Sequence, residues 1–185
     1  MIIETTGQAQ SLPLCIRPLR PDDVPQMLAL QAAVYPPGLH ESAQVLSSKI
    51  SAVPAGWTSL AATQDEHLCA YALGYPWRAD RQPRWNHPLV RYDDCDVLYV
   101  HDVAVSSACA GRGIARSLVS RLLLQGARFG LARAILIAVE GAQGYWSRHG
   151  FVASEAGQVD PAFGSGAVLM SRRLDLIESE PLARQ

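Results

Sequence analysis

Residues 98–118 read LYVHDVAVSSACAGRGIARSL, and this stretch decides the fold. The run from Val97 to Val105 is rich in β-branched and aromatic residues, which is typical of a buried strand. After a short gap, Gly111 and Gly113 open a segment in which apolar residues recur at helical spacing as far as Phe129. The stretch therefore predicts a strand, a glycine turn and a helix in direct succession.

The glycine turn is suited to an anion. Glycines let the backbone turn tightly and approach a ligand without a Cβ atom in the way. Unpaired N–H groups at the start of a helix attract negative charge, and the helix dipole adds to this attraction. We therefore predict that residues 111–115 bind a phosphate group, with a pyrophosphate as the natural ligand.

Other uses of such a turn can be compared with its residues. A Walker A loop requires a lysine after its last glycine, and this turn has none. A Rossmann turn requires a third glycine, whereas Arg116 occupies that place. An ordinary helix start that binds no ligand is the alternative that the pattern leaves open.

Strand and helix patterns alternate on both sides of the turn. They predict strands over 14–19, 57–62, 68–74, 97–105, 134–139, 152–153 and 167–173, and helices over 24–34, 42–51, 113–129 and 143–149. Residues 75–94 are predicted to form an irregular loop. The hairpin around residues 63–66 is antiparallel, while strand–helix–strand alternation is typical of parallel pairing. The predicted fold class is therefore α/β (α+β) with a mixed sheet.

The composition fits one folded domain. The chain has 185 residues, of which 49% are hydrophobic and 18% charged, with a formal net charge of -1. We expect a lead-in over 1–12, a single domain over 13–175 and a tail over 176–185. This charge gives no general reason to bind nucleic acid or an anionic membrane.

Location and metal content are predicted from simple patterns. The start of the chain lacks the basic and apolar regions of a signal peptide, and no apolar run is long enough to span a membrane. A cytoplasmic location is therefore expected. The cysteines at positions 15, 69, 95 and 109 have no metal-ligand spacing, so no metal site is expected.

Three motifs together resemble the GNAT superfamily of N-acetyltransferases. They are LYVHDVAV at 98–105, AGRGIARSL at 110–118 and AQGYWSRHGF at 142–151. The resemblance implies a mostly antiparallel central sheet with splayed parallel strands and flanking helices. It also implies acetyl-coenzyme A as co-substrate, with the pantetheine arm along the strand and the pyrophosphate on the glycine turn.

The resemblance assigns coenzyme contacts residue by residue. The backbone of Val103 and Val105 would bind the pantetheine arm, and Tyr145 and Trp146 would flank the thiol end. Ala110 departs from the family pattern, which usually has Gln or Arg there. The coenzyme-binding residues implied in this way are Val103, Ala104, Val105, Ala110, Gly111, Arg112, Gly113, Ile114, Ala115, Arg116, Tyr145 and Trp146.

His101 is the candidate general base. Acetylation of an amine requires removal of a proton from the ammonium form, and histidine titrates in the useful range. Strand alternation predicts His101 and Val103 on one face and Asp102 on the other. The motif also resembles the arylalkylamine N-acetyltransferase branch, although Tyr99 stands where that branch has a second histidine. A purely structural histidine is the alternative.

Tyr145 is a weaker candidate for the acid that protonates the leaving thiolate. The family often has a tyrosine at the position that Trp146 occupies here, and Tyr145 lies one residue earlier. One residue rotates a helix position by about 100°, so the hydroxyl need not reach the sulfur. The alternative is a thiolate that leaves unaided.

The acceptor site is predicted from residues before and within the long strand. Acidic residues such as Asp94 would attract a cation, and aromatic residues such as Trp77, Trp85 and Tyr99 would stack on an amine. The alternative is a solvated acidic turn with aromatic residues that cover the core. We predict an N-acetyltransferase, a monomer or homodimer, that acts on a small primary amine by direct attack on the thioester. A protein or peptide N-acetyltransferase and a non-catalytic acyl-coenzyme A-binding module are the alternatives.

Overall fold

A seven-stranded sheet forms the centre of the computed structural model, which describes residues 13–139, 141–154 and 159–174. The strand order is β1-β2-β3-β4-β5-β7-β6. The strands are β1 (Cys15–Pro18), β2 (Leu60–Gln64), β3 (His67–Trp77), β4 (Val97–Val105), β5 (Arg133–Ala138), β6 (Val152–Ala153) and β7 (Val168–Arg173). The helices are α1 (Val24–Val34), α2 (Ala43–Ser51), α3 (Ile114–Arg128) and α4 (Gln143–Arg148).

The sheet is antiparallel except for the pair β4 and β5. These two strands pair only from Val97 to Tyr99 and from Arg133 to Ile135. Beyond that point both strands continue without pairing to each other, so they splay apart. The predicted mixed sheet with splayed parallel strands is confirmed.

The two faces of the sheet are covered by different helices. Alternate residues of β3 divide between two cores, with Ala72 in the core beneath α3 and Tyr71 in the core beneath α1. Leu118 and Leu122 bury the apolar side of α3, and Met27 does so for α1. No helix within the described residues is long and apolar enough to cross a membrane.

Strand β3 is longer than predicted. The predicted start of the irregular loop at Tyr75 was wrong, because residues 75–77 belong to β3 and pair with residues 99–97 of β4. Pro76 is tolerated because β2 pairs with β3 only as far as Ala72, so β3 has one neighbour there. The predicted lead-in and most of the predicted tail lie outside the described residues.

A bulge in β4 changes the direction of the side chains near its centre. Leu73 pairs with Asp102 and Gly74 pairs with Val100, so His101 is an extra residue on β4. The extra residue interrupts strict alternation. His101 and Asp102 therefore both contact residues of the segment 31–49, and the prediction that Asp102 lies on the face opposite His101 was wrong.

Candidate active site

A cavity of about 210 Å³ lies where β4 and β5 separate. Its wall combines a few polar groups with aromatic and aliphatic side chains, which is typical of small-molecule sites. The lining residues are Tyr35, Leu39, Trp85, His101, Asp102, Val103, Ile137, Val139, Ala142, Tyr145, Trp146 and Phe163.

The His101 imidazole has one satisfied and one unsatisfied nitrogen. Its side chain is 2% exposed, and Nε2 lies 2.9 Å from Glu41 Oε2. The Glu41 carboxylate only accepts hydrogen bonds and the Lys49 ammonium, 2.8 Å from the same nitrogen, only donates them, so the two neighbours favour opposite tautomers of the ring. Nδ1 is buried and has no hydrogen-bond partner within the described residues. Nδ1 is therefore the ring nitrogen that is left available to a ligand.

Glu41 also binds a buried lysine. Lys49 Nζ lies 2.5 Å from Glu41 Oε1 and 2.8 Å from His101 Nε2. Burial opposes the charge of Glu41, but His101 and Lys49 outweigh it and lower the pKa of Glu41 to about 2. Burial lowers the pKa of Lys49, although Glu41 counteracts this effect. Glu41 is therefore ionised at neutral pH and links the two basic groups.

The Asp102 carboxylate is held by three donors. Tyr35 Oη lies 2.6 Å from Asp102 Oδ1, and Tyr71 Oη and Gln31 Nε2 contact Oδ2. Burial, reinforced by Asp102, raises the pKa of both tyrosines, so they remain neutral donors. Tyr35 Oη is also 2.9 Å from the Val103 carbonyl, but its single proton goes to the nearer, charged carboxylate.

Tyr145 reaches the cavity despite its offset from the family position. Its hydroxyl is buried without a hydrogen-bond partner in the described part of the chain. Burial raises the pKa of Tyr145, so it carries its proton at neutral pH. Trp146 is buried on the cavity wall and packs edge to face on Phe151, with ring centroids 5.6 Å apart.

The glycine turn presents free backbone donors. Gly111 and Gly113 have φ angles of 75° and 72°, and a Cβ atom at either position would meet open space. Within the described residues, the amides of 111–116 donate no hydrogen bond, and the first amide that does is Ser117 N, 3.0 Å from Gly113 O. Arg112 and Arg116 are exposed beside them. These donors and cations fit a pyrophosphate.

Three of the predicted acceptor residues, Tyr99, Trp77 and Asp94, do not line this cavity. Tyr99 is 1% exposed and packs beside His101, with ring centroids 5.7 Å apart. Trp77 is buried, and its indole N–H donates to Arg81 O at 2.8 Å. Asp94 pairs with Arg78 on the surface. Trp85, which was also a predicted acceptor residue, does lie against the cavity, beside Phe163.

Sequence reasoning missed Glu41 and Lys49. One signal existed for Lys49, because it is the single lysine of the chain and lies at helical spacing from the buried Val45 and Leu46. Nothing local pointed to Glu41. Over residues 13–139, 141–154 and 159–174, no cluster of three or more His, Cys, Asp or Glu could hold a metal ion.

A family profile matches the chain, and solved structures share its fold. The profile described as "Acetyltransferase (GNAT) family" matches residues 24–151. The fold is similar to the loading GNATL domain of CurA from Lyngbya majuscula, with a TM-score of 0.72, 11% identity and coverage of 88% of this chain and 98% of that one. It is also similar to the ribosomal-protein-S18-alanine N-acetyltransferase from Escherichia coli, with a TM-score of 0.61, 15% identity and coverage of 93% and 100%.

A third similar structure was solved with the coenzyme. This is the PaiA N-acetyltransferase from Thermoplasma acidophilum in complex with coenzyme A, with a TM-score of 0.62, 12% identity and coverage of 88% and 99%. No curated protein matches the sequence. The family match spans well over half of the chain and includes the glycine turn, the bulged strand and α4. The chain therefore belongs to the acetyltransferase (GNAT) family, whose members are acyltransferases with acetyl-coenzyme A as donor.

Proposed function

We propose that this acetyltransferase acetylates the primary amine of a small molecule and that His101 is its general base. The observation that carries the proposal is that His101, on the wall of the cavity between β4 and β5, has an Nδ1 atom with no hydrogen-bond partner among the described residues. The resemblance of LYVHDVAV to the arylalkylamine branch supports an aryl- or alkylamine as acceptor.

The donor would lie between the glycine turn and the cavity. Amides of 111–116 would hold its pyrophosphate, and the unpaired edge of β4 from Val103 to Val105 would hold its pantetheine arm. Acetyl-coenzyme A supplies the reactive thioester that the amine attacks. Tyr145 and Trp146 would flank the thiol end.

The proton steps are assigned to two side chains. His101 accepts a proton at Nδ1 from the ammonium group of the acceptor, while Nε2 keeps its hydrogen bond to Glu41. The Asp102 carboxylate adds negative charge to the cavity wall, which favours a cationic acceptor over an anionic one. Tyr145 donates its hydroxyl proton to the leaving sulfur as the C–S bond breaks, and it regains a proton from the nitrogen that becomes the amide. His101 then releases the proton that it accepted to solvent.

The cavity walls support a small acceptor. Trp85, Phe163 and Leu39 line a space of about 210 Å³ beside His101 and Asp102. A folded protein or a long peptide requires a wider groove than this. An apolar group beside the amine would pack against the Trp85 ring.

Release of free thiol from acetyl-coenzyme A tests the proposed function. We expect release with one or more members of a panel of aryl- and alkylamines, and slower release with peptides that carry a free N-terminus. Release with peptides alone would identify a peptide acetyltransferase. A rise in melting temperature with acetyl-coenzyme A but no release across both panels would identify a binding module.

Gly113→Ala should weaken binding of coenzyme A. The new Cβ meets no atom, but a left-handed residue other than glycine costs about 1–2 kcal/mol, and relief of this strain would turn the amides away from the ligand. Gly130→Ala is the matched control, since Gly130 has a φ of 86°, open space at Cβ and a place at the other end of α3. Both variants should lose similar stability, measured by urea unfolding, and only Gly113→Ala should bind coenzyme A more weakly in calorimetry. Equal affinity in the two variants would contradict the assignment of this turn.

Tyr145→Phe should slow turnover without loss of stability. The buried hydroxyl has no hydrogen-bond partner within the described residues, so its removal breaks no bond that holds the fold. The lost proton donor should lower kcat with little change in KM for acetyl-coenzyme A. Thermal unfolding and thiol release measure the two effects. An unchanged kcat in Tyr145→Phe would show that Tyr145 does not protonate the leaving sulfur.

A further inference from the structure

We infer that Asp102 binds the ammonium group of the acceptor and thereby sets the substrate class, a cationic amine with no carboxylate beside its nitrogen. The inference rests on the proposed function, because it concerns the acceptor that occupies the same cavity. Three features support it: the bulge that brings Asp102 to the cavity wall, the donors that orient its carboxylate, and the absence of a paired cation among the described residues.

The bulge in β4 brings Asp102 to the wall of the cavity. In a regular strand, neighbouring residues such as His101 and Asp102 point to opposite faces of the sheet. Because His101 is the extra residue of the bulge, this alternation is interrupted, and both side chains line the cavity. Asp102 is half-buried there. The strand therefore presents an imidazole and a carboxylate side by side to one small ligand.

Three donors orient the carboxylate and leave one oxygen with room for another. Tyr35 Oη lies 2.6 Å from Oδ1, while Tyr71 Oη and Gln31 Nε2 contact Oδ2. Of these three donors, only Tyr35 also lines the cavity, so Oδ1 is the oxygen nearer to the open space. A carboxylate oxygen accepts about two hydrogen bonds, so Oδ1 keeps a position for one more donor. An N–H group of the acceptor fits this position.

The charge of Asp102 is not balanced by a cation of its own. Within the described part of the chain, no Lys, Arg or His pairs with its carboxylate. Burial raises the pKa of Tyr35 and Tyr71, so both are neutral donors. Burial lowers the pKa of Lys49, and Glu41 and then Asp102 counteract this effect, but Lys49 pairs with Glu41 and does not line the cavity. A half-buried carboxylate without its own cation favours a positively charged ligand.

The rest of the wall offers nothing to an anion. Apart from His101, the other described lining residues are aromatic or aliphatic, and none is Lys or Arg. A carboxylate on the carbon beside the acceptor nitrogen would lie close to Asp102, and like charges repel strongly in a space that is partly shielded from water. Free amino acids are therefore poor acceptors, and amines without that carboxylate are good ones.

The contact with Asp102 is compatible with the reaction. An ammonium group has three N–H donors, and a primary amine that has lost one proton keeps the other two. One of these can stay on Asp102 Oδ1 while the nitrogen lone pair attacks the thioester. Asp102 thus holds the acceptor before and during attack, and it takes no part in the proton transfer.

Acceptors that differ by one carboxylate test the inference in the wild type. The pairs are 2-phenylethylamine with phenylalanine and n-butylamine with norvaline. Phenylalaninamide controls for bulk, since it carries a neutral amide in place of the carboxylate. We expect kcat/KM for thiol release to be about tenfold higher or more for each amine than for its amino acid, because like charges meet in the cavity. Equal values for phenylalanine and phenylalaninamide overturn the inference.

Asp102→Asn tests the residue itself. Asparagine keeps the shape of the side chain but removes its charge. We expect KM for 2-phenylethylamine to rise about ten- to a hundredfold, the usual effect of losing one charge-assisted hydrogen bond, and the discrimination against phenylalanine to shrink. Asp65→Asn is the matched control, because it removes the same charge from the exposed turn between β2 and β3 and should change neither quantity. An unchanged KM or an unchanged discrimination in Asp102→Asn overturns the inference.

Calorimetry separates failure of the inference from failure of the proposed function. It measures binding of 2-phenylethylamine and n-butylamine to the protein in the presence of coenzyme A, where no transfer occurs. Binding that Asp102→Asn weakens, without thiol release from acetyl-coenzyme A, supports the role of Asp102 and overturns the proposed function. Thiol release that does not depend on Asp102 does the reverse. Neither binding nor release with either amine overturns both. If Asp102→Asn does not fold, the acceptor pairs with the wild type decide.

Discussion

His101→Gln should lower kcat by about 10²–10⁴-fold, the usual contribution of a positioned general base. The glutamine side chain has nearly the same reach as the imidazole but accepts no proton from an ammonium group. Affinity for coenzyme A should stay unchanged, because the substitution does not alter the glycine turn or the edge of β4 that is not paired with β5. Thiol release and calorimetry measure the two quantities separately.

The pH dependence of the variant distinguishes a base from a structural histidine. At high pH the acceptor amine is already deprotonated in solution and no longer needs a base. The loss of kcat in His101→Gln should therefore become smaller as the pH rises. A structural histidine would lower activity equally at every pH. His67→Gln is the matched control, since His67 is exposed at the start of β3. Wild-type turnover by His101→Gln would remove His101 from the mechanism.

The strand that carries His101 was predicted with its observed bounds, but its bulge was not. Strand bounds depend on local composition, and the run from Val97 to Val105 has the residues of a buried strand. The bulge depends on the register with β3, which shifts between Leu73 and Gly74. At Gly74 a Cβ atom would lie 2.7 Å from Leu122 Cδ2, so α3 packs closely on β3 where the register shifts. Such contacts are not visible in a local pattern.

The cluster around His101 was beyond prediction for a similar reason. Glu41 is 60 positions and Lys49 is 52 positions from His101, and the three meet only after α2 packs on the sheet. The glycine turn, by contrast, is a local motif, and within the described part of the chain the amides of 111–116 donate no hydrogen bond. The sequence therefore predicts a turn whose residues are adjacent in the chain, but it does not predict a cluster whose residues come from distant segments.

Glu41→Gln should cost about 3–5 kcal/mol of unfolding free energy, because it leaves the Lys49 ammonium buried without its counter-charge. The double variant Glu41→Gln/Lys49→Met should lose less than Glu41→Gln alone, since it removes both charges. Arg17→Met breaks a more exposed pair and should cost about 1 kcal/mol or less. Urea unfolding at neutral pH measures all three.

Acid titration of stability provides the independent check. The pKa of Glu41 is about 2 in the folded chain against an ordinary 4.5, so its ionised form is favoured by folding. This contribution, on the order of 3 kcal/mol, is present above pH 4.5 and is lost as the pH falls through about 2. Burial lowers the pKa of Lys49, which offsets part of this gain. The wild type should therefore lose stability more steeply than Glu41→Gln between these pH values. Two outcomes would contradict this account: parallel curves of unfolding free energy against pH for the two proteins, or a loss of unfolding free energy below about 1 kcal/mol in Glu41→Gln. Either would show that His101 and Lys49 do not stabilise the ionised Glu41 carboxylate.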